Sequence, residues 1–171
     1  EKGILRYRGI PVEQLAEHSS FRETSYLLIK GDLPTREELQ RFSVRLNDHS
    51  LVHEDMPQFF ESYPRGAHPM GMLSSMITAW RAFYPSIPER SEGEEISITF
   101  ARLLSKVRTL AAMSYKISLG HKVVYPRHDL SYCANFLNMM FDSPVRPYIV
   151  DEDLVNALNV FWILHADHEQ N

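Results

Sequence analysis

One cysteine, Cys133, stands in 171 residues, so an internal disulfide and a cysteine-built metal cluster are both excluded. A reducing, cytoplasmic compartment fits that usage. No apolar run approaches the ~18 residues that read as a bilayer-spanning helix. The chain starts at Glu1 without an initiator Met, and no basic segment leads into an apolar stretch of the signal-peptide kind. It reads as soluble and not secreted, with no membrane partner. Charge of one sign is not concentrated either: 18 Lys and Arg are interspersed with 22 Asp and Glu, for a net charge of −4. Nothing resembles the cationic block that tracks a phosphate backbone, so nucleic acid is not an expected partner. A Gly-rich phosphate loop, a Gly-x-Ser-x-Gly elbow and a Cys-x-x-Cys pair are all missing. No internal repeat and no low-complexity tract occurs.

What is present is 44% hydrophobic and patterned for helices. The length suffices for one core and does not require a second independent domain. Glycines bracket Ile4-Leu5-Arg6-Tyr7-Arg8, which predicts one small strand or an extended arm. Pro11 fits the first position of a helix over Val12–His18. Ser20 with Glu23, and Thr35 with Glu38, have capping-box spacing. The first box opens a helix through Leu27, Leu28 and Ile29 that Gly31 and Pro34 stop. The second opens a helix whose Leu39, Phe42, Leu46, His49 and His53 fall on one face. His68-Pro69-Met70 starts another, with Leu73, Met76, Ile77, Trp80 and Phe83 as its apolar stripe, and residues 85–94 read as a surface loop. A long helix follows on Ile96, Phe100, Leu103, Val107, Leu110 and Ser114, ending near Gly120. Asp129 is the expected N-cap of a helix carrying Leu130, Cys133, Leu137 and Met140, which ends before Pro144 and Pro147. Asp151-Glu152-Asp153 opens the last helix at the end where a helix dipole favours anions. The expected fold is all-α, a multi-helix bundle with a short extended segment near the N-terminus.

The last helix places Leu154, Leu158, Phe161, His165 and His168 at steps of four and three, so both histidines continue the apolar stripe. Residues three apart on a helix can address one small volume. A shared anionic or metal ligand and a pair of hydrogen-bonded core histidines both fit that spacing. The order His-x-x-His-Glu matches neither His-Glu-x-x-His nor His-x-x-Glu-His, so zinc is not expected. His49 and His53, four apart and beside Glu54, could hold a metal or serve structure. With no third ligand nearby, the structural role is preferred, and no metal is expected. His68 can cap or pack. Tyr125-Pro126-Arg127-His128-Asp129 gathers a cation, an imidazole and a carboxylate, for which an exposed local ion pair is an adequate account.

Several blocks in order along the chain resemble the citrate synthase family. They are Gly3-Ile4-Leu5-Arg6-Tyr7-Arg8-Gly9, Ala67-His68-Pro69-Met70, Val124-Tyr125-Pro126-Arg127, Asp129-Leu130-Ser131-Tyr132, Asn135-Phe136-Leu137-Asn138-Met139-Met140-Phe141 and His165-Ala166-Asp167-His168-Glu169-Gln170-Asn171. The last is highly specific, and its Glu-Gln-Asn ending resembles the bacterial branch. The resemblance implies that residues 1–171 are an incomplete large domain, the amino-terminal part of an enzyme whose small domain and remaining large domain are absent. It implies condensation of acetyl-CoA with oxaloacetate to citrate and CoA through an enol or enolate of the thioester. A carboxylate removes the methyl proton, one histidine holds the enol oxygen and another delivers a proton to the ketone. These groups, the carboxylate-clamping arginines and the CoA site would all lie beyond Asn171, so no catalytic residue is expected in this chain. Of the family's substrate contacts only His168 falls within it, as an oxaloacetate ligand, with His165 and Asn171 in support.

No cofactor is implied beyond acetyl-CoA as co-substrate. Members of the hexameric bacterial branch are inhibited by NADH, and the matching positions are His49, Tyr84, Arg102 and Lys106. Other positions depart. Asp48 stands for an arginine, His128 for an asparagine, Ser50 and Leu51 for a threonine and a methionine, and Val145 for a cysteine. Asp48 repels a dianionic ligand, so NADH is expected to bind weakly or not at all. A homodimer or a hexamer of the dimers type is the implied assembly. Two rivals are 2-methylcitrate synthase, which takes propionyl-CoA, and a non-catalytic helical assembly module.

Overall fold

The computed structural model describes residues 3–64, 66–84 and 92–167, with the side chains of 92–96 left aside. The described residues are mostly helical and divide into two compact units, Glu1–Val44 with Asp151–Asn171, and Arg45–Val150. None of the described helices is long and apolar enough to cross a membrane.

In the first unit, β1 (Arg6–Tyr7) pairs antiparallel with β2 (Ile10–Pro11), Tyr7 lying opposite Ile10. The expected single extended segment is thus a hairpin. Its two-residue turn needs positive φ at both positions, and Arg8 at 50° and Gly9 at 87° supply it. An L side chain is disfavoured there. Arg8 offsets this with a bond from Nη2 to Leu28 O at 2.9 Å. α1 (Val12–His18) follows at once, with Pro11 one residue outside it as N-cap and not at its first position. α2 (Phe21–Lys30) begins on the expected capping box, in which Glu23 N–H donates to Ser20 Oγ and Ser20 N–H to Glu23. It ends on Gly31 at φ 100°. α3 (Arg36–Asp48) begins on the second box, with Thr35 N donating to Glu38 at 2.8 Å.

α8 (Glu152–Leu164), capped by Asp151 through the amides of Asp153 and Leu154, returns to this unit. Asn159 clamps it to the junction of α1 and α2, accepting from Phe21 N at 2.8 Å and donating to Ser19 O at 3.3 Å. Tyr7, Val12, Leu15, Leu27 and Ile163 form the core. The buried side of α8 therefore runs through Val155 and Ile163, whereas Leu154 and Phe161 of the expected inner stripe are 51% and 54% exposed. α8 is apolar on more than one face, and spacing alone could not choose between them.

In the second unit, α4 (Met56–Glu61), α5 (Pro69–Phe83), α6 (Glu92–Ser118) and α7 (Tyr132–Phe141) pack in chain order, α5 on α6 and α6 on α7. Val52, Met56, Phe60, Met72, Met76, Leu110 and Met113 make the core, with Leu73, Trp80 and Phe83 against it. α6 starts at Glu92, so residues 92–94, expected in the loop, are helical, and 85–91 lie outside the described residues.

The buried side of α6 keeps Leu110 and Ser114 of the predicted stripe but is wider than it. Ala101, Ser105, Thr109 and Met113 are buried along it, while Phe100 is exposed. The reason is polar. α3 stops at Asp48, and its last turn and the chain leaving it offer carbonyls to α6. Ser105 Oγ donates to Leu46 O at 2.7 Å, Thr109 Oγ1 to Ser50 O at 2.7 Å, and Lys106 Nζ to Leu51 O. Buried carbonyls need donors, and α6 provides them.

Candidate functional site

The candidate residues fall in two constellations, one in each unit. The first is the C-terminal end of α8. His165 takes the C-cap position, its ring stacked on Phe161 with centroids 4.1 Å apart. Its Nδ1 lies 2.8 Å from Phe161 O. A carbonyl can only accept, so in the neutral ring Nδ1 carries the proton and Nε2 keeps its lone pair. The residue is exposed, which corrects the expectation of an inward-facing core histidine: the helix closes at Leu164, and the turn swings His165 onto the open side of Phe161. Beneath the same turn the hydroxyl of Tyr7 donates to Ile163 O at 2.9 Å and accepts from Asp167 N at 3.3 Å. Nothing in the local pattern singled out Tyr7, because its partners lie 156 and 160 positions away. His168 and Asn171, together with the expected pairing of His165 with His168, lie outside the described residues.

The second constellation brings His49, Tyr84, Arg102 and Lys106 together. Lys106 Nζ sits over the Tyr84 ring, 4.1 Å from its centroid, and donates to Leu51 O. Lys106 is 4% exposed. Burial, reinforced by Arg102, lowers its pKa to about 8. Burial first, then Arg102 and Lys106, also lowers the His49 pKa, while Asp48 acts in the opposite sense. Burial raises the Tyr84 phenol, opposed by a hydrogen bond with the His53 backbone and by Arg102. The cluster is cationic. Its most enclosed cation, however, is already engaged by a carbonyl and a ring, and the charge of Asp48 acts on its histidine.

His53 and His68 have structural partners. His49 and His53 do not share a helix face, because α3 ends before both. His53 Nδ1 accepts from Asp55 N at 3.2 Å, and its ring lies 5.1 Å from that of Phe83. His68 caps α5, accepting from Met70 N at 3.2 Å. Arg127 forms an exposed two-pronged pair with Asp129, at 3.1 and 2.6 Å. That pair occupies Asp129, and the N-cap of α7 is Ser131, which accepts from Ala134 N at 3.3 Å. Asn135 holds the Arg127 backbone on both sides, at 3.0 Å to its N and 2.6 Å to its O. Among the described residues no group of three or more His, Cys, Asp or Glu could hold a metal ion.

A family model described as citrate synthase, C-terminal domain, matches residues 1–171. Citrate synthase 1 of Mycobacterium tuberculosis is 45% identical over 171 residues, covering 100% of this chain and 40% of that protein. The crystal structure of citrate synthase from Pyrobaculum aerophilum superposes with a TM-score of 0.86 at 34% identity, over 98% of this chain and 42% of that one. Citrate synthase from Thermotoga maritima gives 0.79 at 31% identity, over 99% and 42%. The fold also matches that of the Thermoplasma acidophilum enzyme, solved as a ternary complex of carboxymethyl coenzyme A and oxaloacetate, with a TM-score of 0.85 at 24% identity, over 99% and 43%. The chain thus spans about 40% of the length of the curated relatives it matches.

Proposed function

As the chain belongs to the citrate synthase family, we propose that it is the amino-terminal part of the large helical domain of an enzyme that condenses acetyl-CoA with oxaloacetate. The products are citrate and CoA. The observation that carries this reading is the 45% identity to citrate synthase 1 of Mycobacterium tuberculosis across all 171 residues, the histidine block that follows α8 included. In that reading the carboxylate that takes the methyl proton and the histidines that hold the enol oxygen and protonate the ketone are contributed from beyond Asn171. This chain contributes one substrate contact, His168, whose imidazole holds oxaloacetate and, when protonated, adds favourable charge. His165 and Asn171 support it. The enzyme works in the cytoplasm as a homo-oligomer and needs no cofactor other than its thioester substrate.

The cluster of His49, Tyr84, Arg102 and Lys106 is the counterpart of an NADH inhibitory site that binds NADH weakly or not at all. Support comes from Asp48, whose charge acts on His49, and from the engagement of Lys106 by Leu51 O and the Tyr84 ring. A dianionic ligand meets a repulsive carboxylate and an ammonium that is not presented to it.

The 171-residue chain alone is expected to release no CoA from acetyl-CoA and oxaloacetate, and measurable release would contradict the proposal. The coding sequence after Asn171 separates the enzyme from a non-catalytic helical module. Further histidine blocks and a catalytic Asp support the enzyme, and an immediate stop codon supports the module.

A further inference from the structure

Lys106 is a buried amine in unusual company. It lies on α6, in the same unit as His49, Trp80, Tyr84 and Arg102, and is 4% exposed. A lysine so enclosed is normally paired with a carboxylate. Among the described residues no carboxylate pairs with it. Its partners are neutral: the Leu51 carbonyl accepts from Nζ, and the Tyr84 ring lies beneath Nζ with its centroid at 4.1 Å. The charge that acts on it is a second cation, Arg102. Burial first and Arg102 second bring its pKa down to about 8. An amine with that value is about one-quarter neutral at pH 7.5, against roughly one-thousandth for an ordinary lysine.

A neutral amine has a free lone pair and is a nucleophile. The groups around this one are suited to a negative charge. Arg102 brings a guanidinium. Trp80, whose ring centroid is 6.1 Å from that of Tyr84, has an Nε1–H that is buried with no acceptor. A buried donor left unpaired costs free energy, and an acceptor placed beside it recovers that cost. The other titratable groups here are His49 with Asp48 and Arg45, from the end of α3, and Tyr84 at the end of α5, whose phenol burial keeps protonated.

We propose that Lys106 is a carbamylation site for carbon dioxide. The nitrogen lone pair forms a bond to the carbon of carbon dioxide, one C=O electron pair moves onto oxygen, and one proton leaves the nitrogen for solvent. The product is a carbamate with charge −1 where an ammonium carried +1. Its nitrogen keeps one hydrogen, so the bond to Leu51 O is retained. Its oxygens take the guanidinium of Arg102 and the orphaned Nε1–H of Trp80. Carbon dioxide is small and uncharged, so the enclosure that withholds Lys106 from a nucleotide does not withhold it from this reagent.

The test uses the full-length protein, incubated with 13C-labelled carbon dioxide and bicarbonate and trapped with triethyloxonium, which turns a carbamate into a stable ethyl ester. Peptide mass spectrometry then locates the label. At pH 7.5 the occupancy of Lys106 is expected to exceed that of the exposed Lys30 by about tenfold or more, as the difference in neutral fraction requires. At fixed dissolved carbon dioxide it should rise from pH 7 to pH 8.5, because the neutral fraction grows through about 8. Arg102→Gln removes both the cation that favours the neutral amine and a donor to the product, and Trp80→Phe removes the second donor. Each should lower the occupancy of Lys106 by about threefold or more, the net worth of roughly one hydrogen bond. No label at Lys106 of the parent protein, or no more than at Lys30, overturns the proposal whatever the variants do. Occupancy that neither substitution changes overturns it as well, because the carbamate would then owe nothing to this cluster.

Discussion

Lys106 shows how a cation can belong to a cluster and still be withheld from it. Its pKa of about 8 means that the buried amine loses charge just above neutrality, first through burial and second through Arg102. His49, lowered by burial and by the same two cations, gains charge only on the acid side. Both groups lose positive charge as pH rises, His49 on the acid side, so that only Lys106 makes the affinity of this face for an anion fall as pH rises through about 8. Reversing the charge at the exposed Asp48 should partly restore a ligand. In the full-length protein Asp48→Arg is expected to tighten NADH binding by roughly three- to tenfold, with the gain shrinking in alkaline buffer. Micromolar NADH inhibition of the unaltered enzyme would contradict the account. Local pairings of this size were readable from residue order. His68 caps α5 because its ring reaches an amide two residues ahead. Asp129 misled because Arg127 competes for it, which leaves the cap of α7 to Ser131.

Helix beginnings were legible for the same reason, since a capping box closes within four residues. Ser20→Ala breaks the box of α2 and should cost about 1 kcal/mol. A denaturant midpoint that does not move would mean that the box contributes nothing. Helix faces were less legible. The buried serine and threonine of α6 answer carbonyls 59 positions earlier, so its buried side follows polar demand as well as the apolar spacing that buries Leu110. His49 and His53 keep a helical interval although α3 has already stopped at Asp48. α8 was assigned the wrong inner side because it carries apolar residues on both. The feature most relevant to its far end, the Tyr7 hydroxyl, joins β1 to α8 across almost the whole chain and left no local trace.

For the whole molecule, the all-α class followed from periodicity and the family from ordered blocks, whereas the division into two units did not. Each unit leaves apolar side chains in the open, Leu154 and Phe161 in one, Val145 and Ile149 in the other. Exposed apolar surface of this kind drives association. The isolated 171-residue chain is expected to sediment as a concentration-dependent mixture, and a monodisperse monomer would contradict that. The central claim, however, is chemical, and the most direct test is oxaloacetate-dependent CoA release by the full-length enzyme on two thioesters. The account predicts release from acetyl-CoA, with a kcat/KM well above that for propionyl-CoA. No release, or a preference for propionyl-CoA, would contradict it.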